Sequence, residues 1–187
     1  VVTVDPTRLL VSHPDRLYHK TDTHWNDHGA WVATEQVLIK TAQLLHLPYI
    51  SESVQIESIK TNGGDLARFL GLKLQIKEHA PVINVVDGLE AKLDSGQSLP
   101  YPEMDEKMIF RNKITTICPN APFPSAVIYI DSFGHVMIPH LARSFQRCTF
   151  VRGHQLDDAL LETEKAAILI VQLVERKLMA PANQILR

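Results

Sequence analysis

The last third of the chain alternates three apolar runs with two helical patterns, and this alternation constrains the fold more than any other feature. The apolar runs lie at residues 126–130, 148–151 and 167–174, and the helical patterns lie between them at residues 136–145 and 157–165. Strands that alternate with helices are typical of a parallel sheet covered by helices. The sequence therefore predicts an α/β protein with a mostly parallel sheet, in which residues 126–130 form an interior strand.

The first two thirds of the chain show weaker patterns. Apolar residues recur at helical spacing over residues 29–47, where Asn26 or Asp27 would cap the start and Pro48 would stop the helix. The remaining expected elements are strands at residues 1–4, 54–59, 82–86 and 108–117, a short helix at residues 65–70, and a surface insertion at residues 87–107. No linker pattern divides the chain, so we expect one domain over residues 1–187. The strand-like start also suggests a fragment that lacks N-terminal sequence.

Composition excludes several classes of protein. The net charge is −2, which argues against nucleic acid as a partner because phosphate binding needs a basic face. No apolar stretch reaches the roughly 18 residues that span a bilayer, so we expect peripheral membrane contact or none. The two cysteines, Cys118 and Cys148, are compatible with a disulfide or with two free thiols.

Two distant segments carry residue types that suit a serine triad. Ser132 lies two residues after the apolar run at residues 126–130 and two residues before Gly134, a position where α/β hydrolytic enzymes often place a nucleophile. His24 is the best candidate for the base that serine needs, and Asp22, two residues away, would hold its ring. Backbone N–H groups near Gly134 could face a developing oxyanion. We therefore predict Ser132, His24 and Asp22 as the catalytic residues.

Each of these residues also has a structural interpretation. Ser132 and the preceding aspartate would cap the next helix, and Asp22 would cap a turn that leaves His24 solvated. A zinc site is a further alternative, because His24 and His28 are four residues apart. The expected helix begins only near residue 26 or 27, however, so the two histidines would not share one face, and we predict neither a metal nor a cofactor.

Two other residues are candidates for lining the site. Trp25, beside the expected base, would be either a core residue or part of a cleft. Arg176 follows the last apolar run, at the end of a strand where ligands usually bind in open α/β sheets. A local ion pair with the preceding Glu175 is the alternative for Arg176.

Four segments, in order, resemble the alginate O-acetyltransferases of the AlgX and AlgJ kind. The most specific runs from Tyr18 through Lys20-Thr21-Asp22-Thr23-His24-Trp25-Asn26 to Gly29-Ala30. The other three lie at residues 64–72 (GDLARFLGL), 130–133 (IDSF) and 174–176 (VER). The resemblance implies a flavodoxin-like, SGNH-hydrolase-like three-layer sandwich with Ser132 as nucleophile, His24 as base and Asp22 as acid.

The resemblance also implies a function. Such proteins act outside the cytoplasmic membrane, in the periplasm, and transfer acetyl groups to exopolysaccharide such as alginate, the acetyl group arriving through a membrane-bound O-acyltransferase. Asn62, Gly63 and Gly64 are the candidates for further oxyanion donors. We therefore expect an O-acetyltransferase that works through an acyl-serine. The alternatives are a carbohydrate acetyl esterase of the same mechanism and a non-catalytic polysaccharide-binding or assembly protein.

Overall fold

A computed structural model describes residues 1–100 and 112–178, and these residues form a mixed α/β structure. Contacts divide them into two compact units. The first comprises Val1–Lys40 and Ile50–Gly88, and the second comprises Thr41–Tyr49 and the described residues from Leu89 onward. In the described part of the chain, no helix has both the length and the apolar character needed to cross a membrane.

The first unit contains helices and one antiparallel pair of strands. Its elements are α1 (Thr7–Ser12), α2 (Asp27–Leu45, whose last residues belong to the second unit), β1 (Val54–Asn62), α3 (Asp65–Phe69) and β2 (Lys77–Val85). Strands β1 and β2 pair along their whole length, from Val54 opposite Val85 to Asn62 opposite Lys77. The strands and helices predicted at residues 29–47, 54–59, 65–70 and 82–86 are thus confirmed, with shifted boundaries.

The predicted strand at residues 1–4 is wrong. These residues belong to no strand, and three of the four are exposed. Pro6 occupies the N-cap position of α1, without a side-chain hydrogen bond to the helix. An apolar run forms a strand only where a neighbouring strand offers its backbone groups, and residues 1–4 pair with no described strand.

Helix α2 begins where its sequence predicts. The side-chain oxygen of Asn26 accepts a hydrogen bond from Gly29 N at 3.0 Å, which satisfies one of the free N–H groups at the start of the helix. The helix ends before His46, which has φ 54° and thus leaves the helical region. Its buried side chains include Trp31 and Leu38.

The second unit is built on a five-stranded mixed sheet. Its strands lie in the order β3-β4-β6-β5-β7 and comprise β3 (Lys92–Leu93), β4 (Lys113–Ile117), β5 (Phe123–Ile130), β6 (Phe145–Arg152) and β7 (Ile168–Val171). β5 is an interior strand, as predicted: it pairs in parallel with β6 on one side and β7 on the other. Residues 126–130 at its end are all at most 2% exposed.

The sheet as a whole is not mostly parallel, and this expectation is corrected. β4 is antiparallel to β6, and β3 is antiparallel to β4. Only residues 118–122 separate β4 from β5, and parallel strands need a crossover of about a dozen residues or more. The chain therefore reverses direction between these two strands. Of the predicted strand at residues 108–117, residues 108–111 lie outside the described part, as do residues 101–107 of the expected insertion.

The helices of the last third differ from their predictions mainly in detail. The predicted helix at residues 136–145 is a 3₁₀ turn (Gly134–Met137) followed by α4 (Ile138–Ala142). Helix α5 (Asp158–Glu164) is capped by Asp157, whose side chain accepts from Leu160 N. The strand predicted at residues 167–174 is shorter in the structure, and three residues separate the end of β7 from a last helix, α6 (Glu175–Leu178). Cys118 and Cys148 are both buried and form no disulfide.

Candidate active site

Asp22 and His24 form a hydrogen-bonded pair on the loop before α2, in the first unit. Asp22 Oδ1 lies 2.6 Å from His24 Nδ1 and also accepts from the backbone N of His24 at 2.9 Å. The second bond is an aspartate turn, which holds the carboxylate beside the residue two positions ahead. Because Asp22 engages Nδ1, proton transfer to another group would pass through Nε2.

The second oxygen of Asp22 binds the start of α3. Asp65 N donates to Asp22 Oδ2 at 2.7 Å. Burial opposes ionisation of Asp22, but the hydrogen bonds from His24 and Asp65 outweigh it and hold the pKa of this carboxyl well below its usual range. Asp22 is therefore a charged acceptor at neutral pH, able to stabilise a protonated imidazole.

Gly64 allows this close approach between α3 and Asp22. A Cβ at Gly64 would lie 2.3 Å from the Asp22 side chain, so no larger residue fits without a shift. The N–H of Gly64 donates to Thr21 Oγ1 at 2.9 Å. The structure thus places Gly64 directly behind the acid, while its role as an oxyanion donor remains a prediction.

Two further carboxylates, which the sequence analysis missed, support the loop. Asp65 accepts hydrogen bonds from both Thr23 N and Thr23 Oγ1, and its Oδ2 lies 3.8 Å from His24 Nδ1. Glu78, buried on β2, accepts from Thr21 Oγ1 at 2.8 Å and from Lys20 N at 2.7 Å. A charged residue facing inward on a strand is the signal that could have identified Glu78.

Ser132 lies in the second unit, two residues after the end of β5, in a turn that Asp131 organises. Asp131 Oδ1 accepts from Phe133 N at 2.9 Å, and Asp131 Oδ2 accepts from Val174 N at 2.8 Å. Ser132 itself is partly exposed. One buried carboxylate therefore ties both the serine turn and the segment after β7 in place.

Gly134 closes the same turn. Its N–H donates to Asp131 O at 3.1 Å. A Cβ at Gly134 would lie 2.6 Å from Ile130 Cβ and 2.7 Å from Gln172 Oε1, so the tight packing requires glycine. The structure shows Gly134 shaping the turn, and a contribution to an oxyanion site remains a prediction.

His154 and Arg176 also lie at this end of the parallel strands. His154 Nε2 is 4.0 Å from Asp131 Oδ2 and is buried without a hydrogen-bond partner among the described residues. Burial lowers the pKa of His154, against the attraction of Asp131. Arg176, a predicted site residue, lies with its guanidinium 5.8 Å from the centre of the Phe133 ring. The position of His154 after β6 is the signal that could have identified it.

The other predicted site residues lie in the first unit. Trp25 is 7% exposed and pairs with Tyr18 in a short antiparallel bridge, so it is a core residue. Asn62 ends β1, and its side-chain oxygen accepts from Lys77 Nζ. Gly63 N donates to Lys73 O and Ile76 O, at 3.0 and 2.9 Å.

Comparisons with known proteins show the fold of the chain. No protein-family model matches the sequence, and no curated protein matches it. A solved DHHW family protein from Eubacterium siraeum matches with a TM-score of 0.70 at 15% identity, over 91% of this chain and 63% of that one. PatB1 of Bacillus cereus, solved with a sulfonyl adduct, matches with a TM-score of 0.66 at 16% identity, over 91% of this chain and 65% of that one.

A third structure is more distant. The O-acetyltransferase domain of Pseudomonas putida AlgJ matches with a TM-score of 0.36 at 14% identity, over 84% of this chain and 52% of that one. The chain spans less than two thirds of the length of the DHHW protein and of PatB1. The comparisons thus establish a mixed α/β fold shared with these two proteins.

Proposed function

We propose that the protein is an SGNH-hydrolase-like O-acetyltransferase that uses Ser132 as nucleophile, His24 as base and Asp22 as the acid that orients the base. The observation that carries the proposal is the 2.6 Å contact between Asp22 Oδ1 and His24 Nδ1. The carboxylate is fixed by Asp65 N, and the serine turn is fixed by Asp131. PatB1, which shares the fold, was solved with a sulfonyl adduct, and we carry that reactivity to Ser132 as part of the proposal.

The reaction takes place in two halves. Nε2 of His24 takes the proton of Ser132 Oγ as this oxygen attacks the acetyl carbonyl of the donor ester, and His24 then gives the proton to the departing alcohol. The product is an acetyl ester on Ser132. A sugar hydroxyl next loses its proton to His24 as it attacks this ester, and His24 gives that proton to Ser132 Oγ as the serine departs, which restores the free serine. The negative charge of Asp22 stabilises His24 while it holds the proton.

The substrate and setting follow from the sequence resemblance as further parts of the proposal. The acceptor is an exopolysaccharide of the alginate kind, and the donor is supplied by a membrane-bound O-acyltransferase. The protein acts in the periplasm as one domain with a three-layer sandwich, with peripheral membrane contact or none, and requires no cofactor or nucleic acid. Arg176, which is exposed, is the residue we propose to contact the polysaccharide.

Two alternatives use the same residues. A carbohydrate acetyl esterase would let water, rather than a sugar hydroxyl, attack the acetyl-serine. A non-catalytic polysaccharide-binding or assembly protein is favoured by one observation: the N–H groups of Gly64 and Gly134, both considered as oxyanion donors, already bond to Thr21 and Asp131. An oxyanion site would then depend on other groups.

Replacing Ser132 with alanine tests the proposed function. We expect hydrolysis of a chromogenic acetyl ester, and transfer to an alginate oligosaccharide, to fall at least about 10³-fold, because removing one member of a linked catalytic unit abolishes most of its rate. The matched control is Ser95→Ala, which changes an exposed serine. Turnover unchanged by Ser132→Ala would overturn the serine mechanism. Hydrolysis without transfer would favour the esterase.

A further inference from the structure

Two histidines from different helices meet in the first unit, away from the residues proposed for catalysis. His13 directly follows α1, and His28 lies in the first turn of α2. Their ring centres are 4.8 Å apart and the ring planes make an angle of 83°. The carboxylate of Asp15 reaches both rings: its Oδ2 lies 3.9 Å from Nδ1 of His13 and 3.9 Å from Nδ1 of His28.

This spacing suits a metal ion. Bonds of about 2.1 Å at a tetrahedral angle hold two imidazole centres about 5 Å apart and ligand atoms about 3.4 Å apart. The observed ring separation of 4.8 Å agrees with the first distance. Asp15 Oδ2 lies 3.9 Å from each Nδ1. This is about half an ångström more than the separation expected between two ligand atoms. Asp15 is 64% exposed, so its side chain has room to make this movement.

Metal binding would change one hydrogen bond within the cluster. Asp15 N donates to Nδ1 of His13 at 3.1 Å, and an ion would displace this N–H. Asp15 is exposed, so water can accept the displaced bond at little cost.

We propose that His13, Asp15 and His28 bind one divalent transition-metal ion, for which Zn²⁺ is the natural candidate, with water in the fourth position. The ion would fasten α1 to the start of α2. Helix α1 has no buried residue, so hydrophobic burial contributes little to holding it. His24 and His28 have a zinc-like spacing in the sequence, but the structure places His13, fifteen residues away, beside His28.

Direct titration of the whole chain tests the site. After treatment with chelator, we expect ZnCl₂ to bind in a calorimeter with a stoichiometry of one, and CoCl₂ to give the visible absorption of a tetrahedral site. His13→Ala removes a ligand and should weaken Zn²⁺ binding at least about 100-fold. Mutation of a residue that only hydrogen-bonds to a ligand typically costs about 10- to 100-fold. Asp15→Asn should weaken Zn²⁺ binding at least about 10-fold. The control is His79→Ala, an exposed histidine on β2, which should bind normally.

A second measurement reports the proposed effect on α1. Arg8 is exposed within this helix, so we expect Zn²⁺ to slow tryptic cleavage there in the parent chain but not in His13→Ala. His13 is partly exposed, so this variant should fold even if a change at the more buried His28 does not.

A second cluster of possible ligands could bind the ion instead. Asp22, His24 and Asp65 also bring ligand atoms within 4.8 Å of one another. Binding that survives His13→Ala and disappears in His24→Ala would assign the ion to that cluster and overturn the proposal. The absence of Zn²⁺ binding in the parent chain would also overturn it. Neither result bears on the proposed role of Ser132, because Ser132→Ala is assayed without added metal.

Discussion

Replacing Asp22 with asparagine tests how the carboxylate orients His24, because the substitution keeps the shape of the side chain. Asp22 uses one oxygen for both Nδ1 and N of His24, and the other for Asp65 N. All three of these contacts need an acceptor. Asparagine offers one acceptor and one NH₂ donor. In either orientation of its amide, the NH₂ group therefore faces a backbone N–H.

The magnitude follows from these contacts. Leaving one backbone N–H without an acceptor costs about 1–3 kcal/mol of folding stability. If the NH₂ group faces His24, the ring must accept at Nδ1 and carry its proton on Nε2, which prevents it from acting as a base. The equivalent change in a serine protease triad lowers kcat by about 10⁴-fold. We expect Asp22→Asn to lose between about 10² and 10⁴ in ester hydrolysis.

The matched control is Asp65→Asn. Asp65 accepts from Thr23 N with one oxygen and from Thr23 Oγ1 with the other. An asparagine can accept from the N–H and donate to the hydroxyl, so both contacts survive. We expect the free energy of unfolding to change by less than about 1 kcal/mol. The rate should fall less than about 10-fold, because the substitution removes a negative charge 3.8 Å from His24 Nδ1.

Urea denaturation and hydrolysis of a chromogenic acetyl ester would measure both effects. An Asp22→Asn protein within about 10-fold of the parent rate, or no less active than Asp65→Asn, would refute the role of Asp22 as the orienting acid. Equal stability of the two variants would refute the hydrogen-bond argument.

Three further predictions follow from the same structure. Gly64→Ala forces a Cβ against Asp22 and should cost about 1–3 kcal/mol and most of the activity; wild-type activity in this variant would contradict the packing argument. Asp131→Ala removes the acceptor of two backbone N–H groups and should lower the urea midpoint by an amount equal to about 2–6 kcal/mol; an unchanged midpoint would show that the carboxylate is dispensable. Burial lowers the pKa values of His28 and His154 in the folded state, so below about pH 6.5 the unfolded chain binds more protons. Without metal, stability should therefore decrease on acidification toward about pH 5, by at most about 1.4 kcal/mol per pH unit for each histidine. Stability that rises as the pH falls over this range would contradict the lowered pKa values of His28 and His154.

Local patterns predicted much of the fold because burial alone determines them. The run at residues 126–130 is apolar at every position and lies in the interior of the sheet. Helix α2 follows from its apolar spacing and the Asn26 cap. Strand direction was harder to predict, since it depends on the length of the loop at residues 118–122 and on which strands become neighbours. The strand prediction at residues 1–4 was wrong for a related reason, because apolar character does not supply a strand to pair with.

The candidate site shows the same division between local and long-range information. The pair formed by Asp22 and His24 is two residues apart and could be predicted from the sequence. The supporting contacts of Asp65 and Glu78 join positions 42 to 58 residues apart, and a single sequence gives no distance between such positions. The same holds for His154 beside Asp131. The partners of these residues could be assigned only from the folded arrangement of each unit.

Covalent labelling with a serine-directed sulfonyl fluoride tests the central claim most directly. An activated Ser132 should acquire one sulfonyl group, located by mass spectrometry of the peptide that contains it. His24→Ala should abolish the labelling, and Asp22→Asn should slow it about as much as it slows ester hydrolysis. Labelling of another residue, labelling of Ser132 that does not depend on His24, or no labelling of the folded parent chain would contradict the proposed triad.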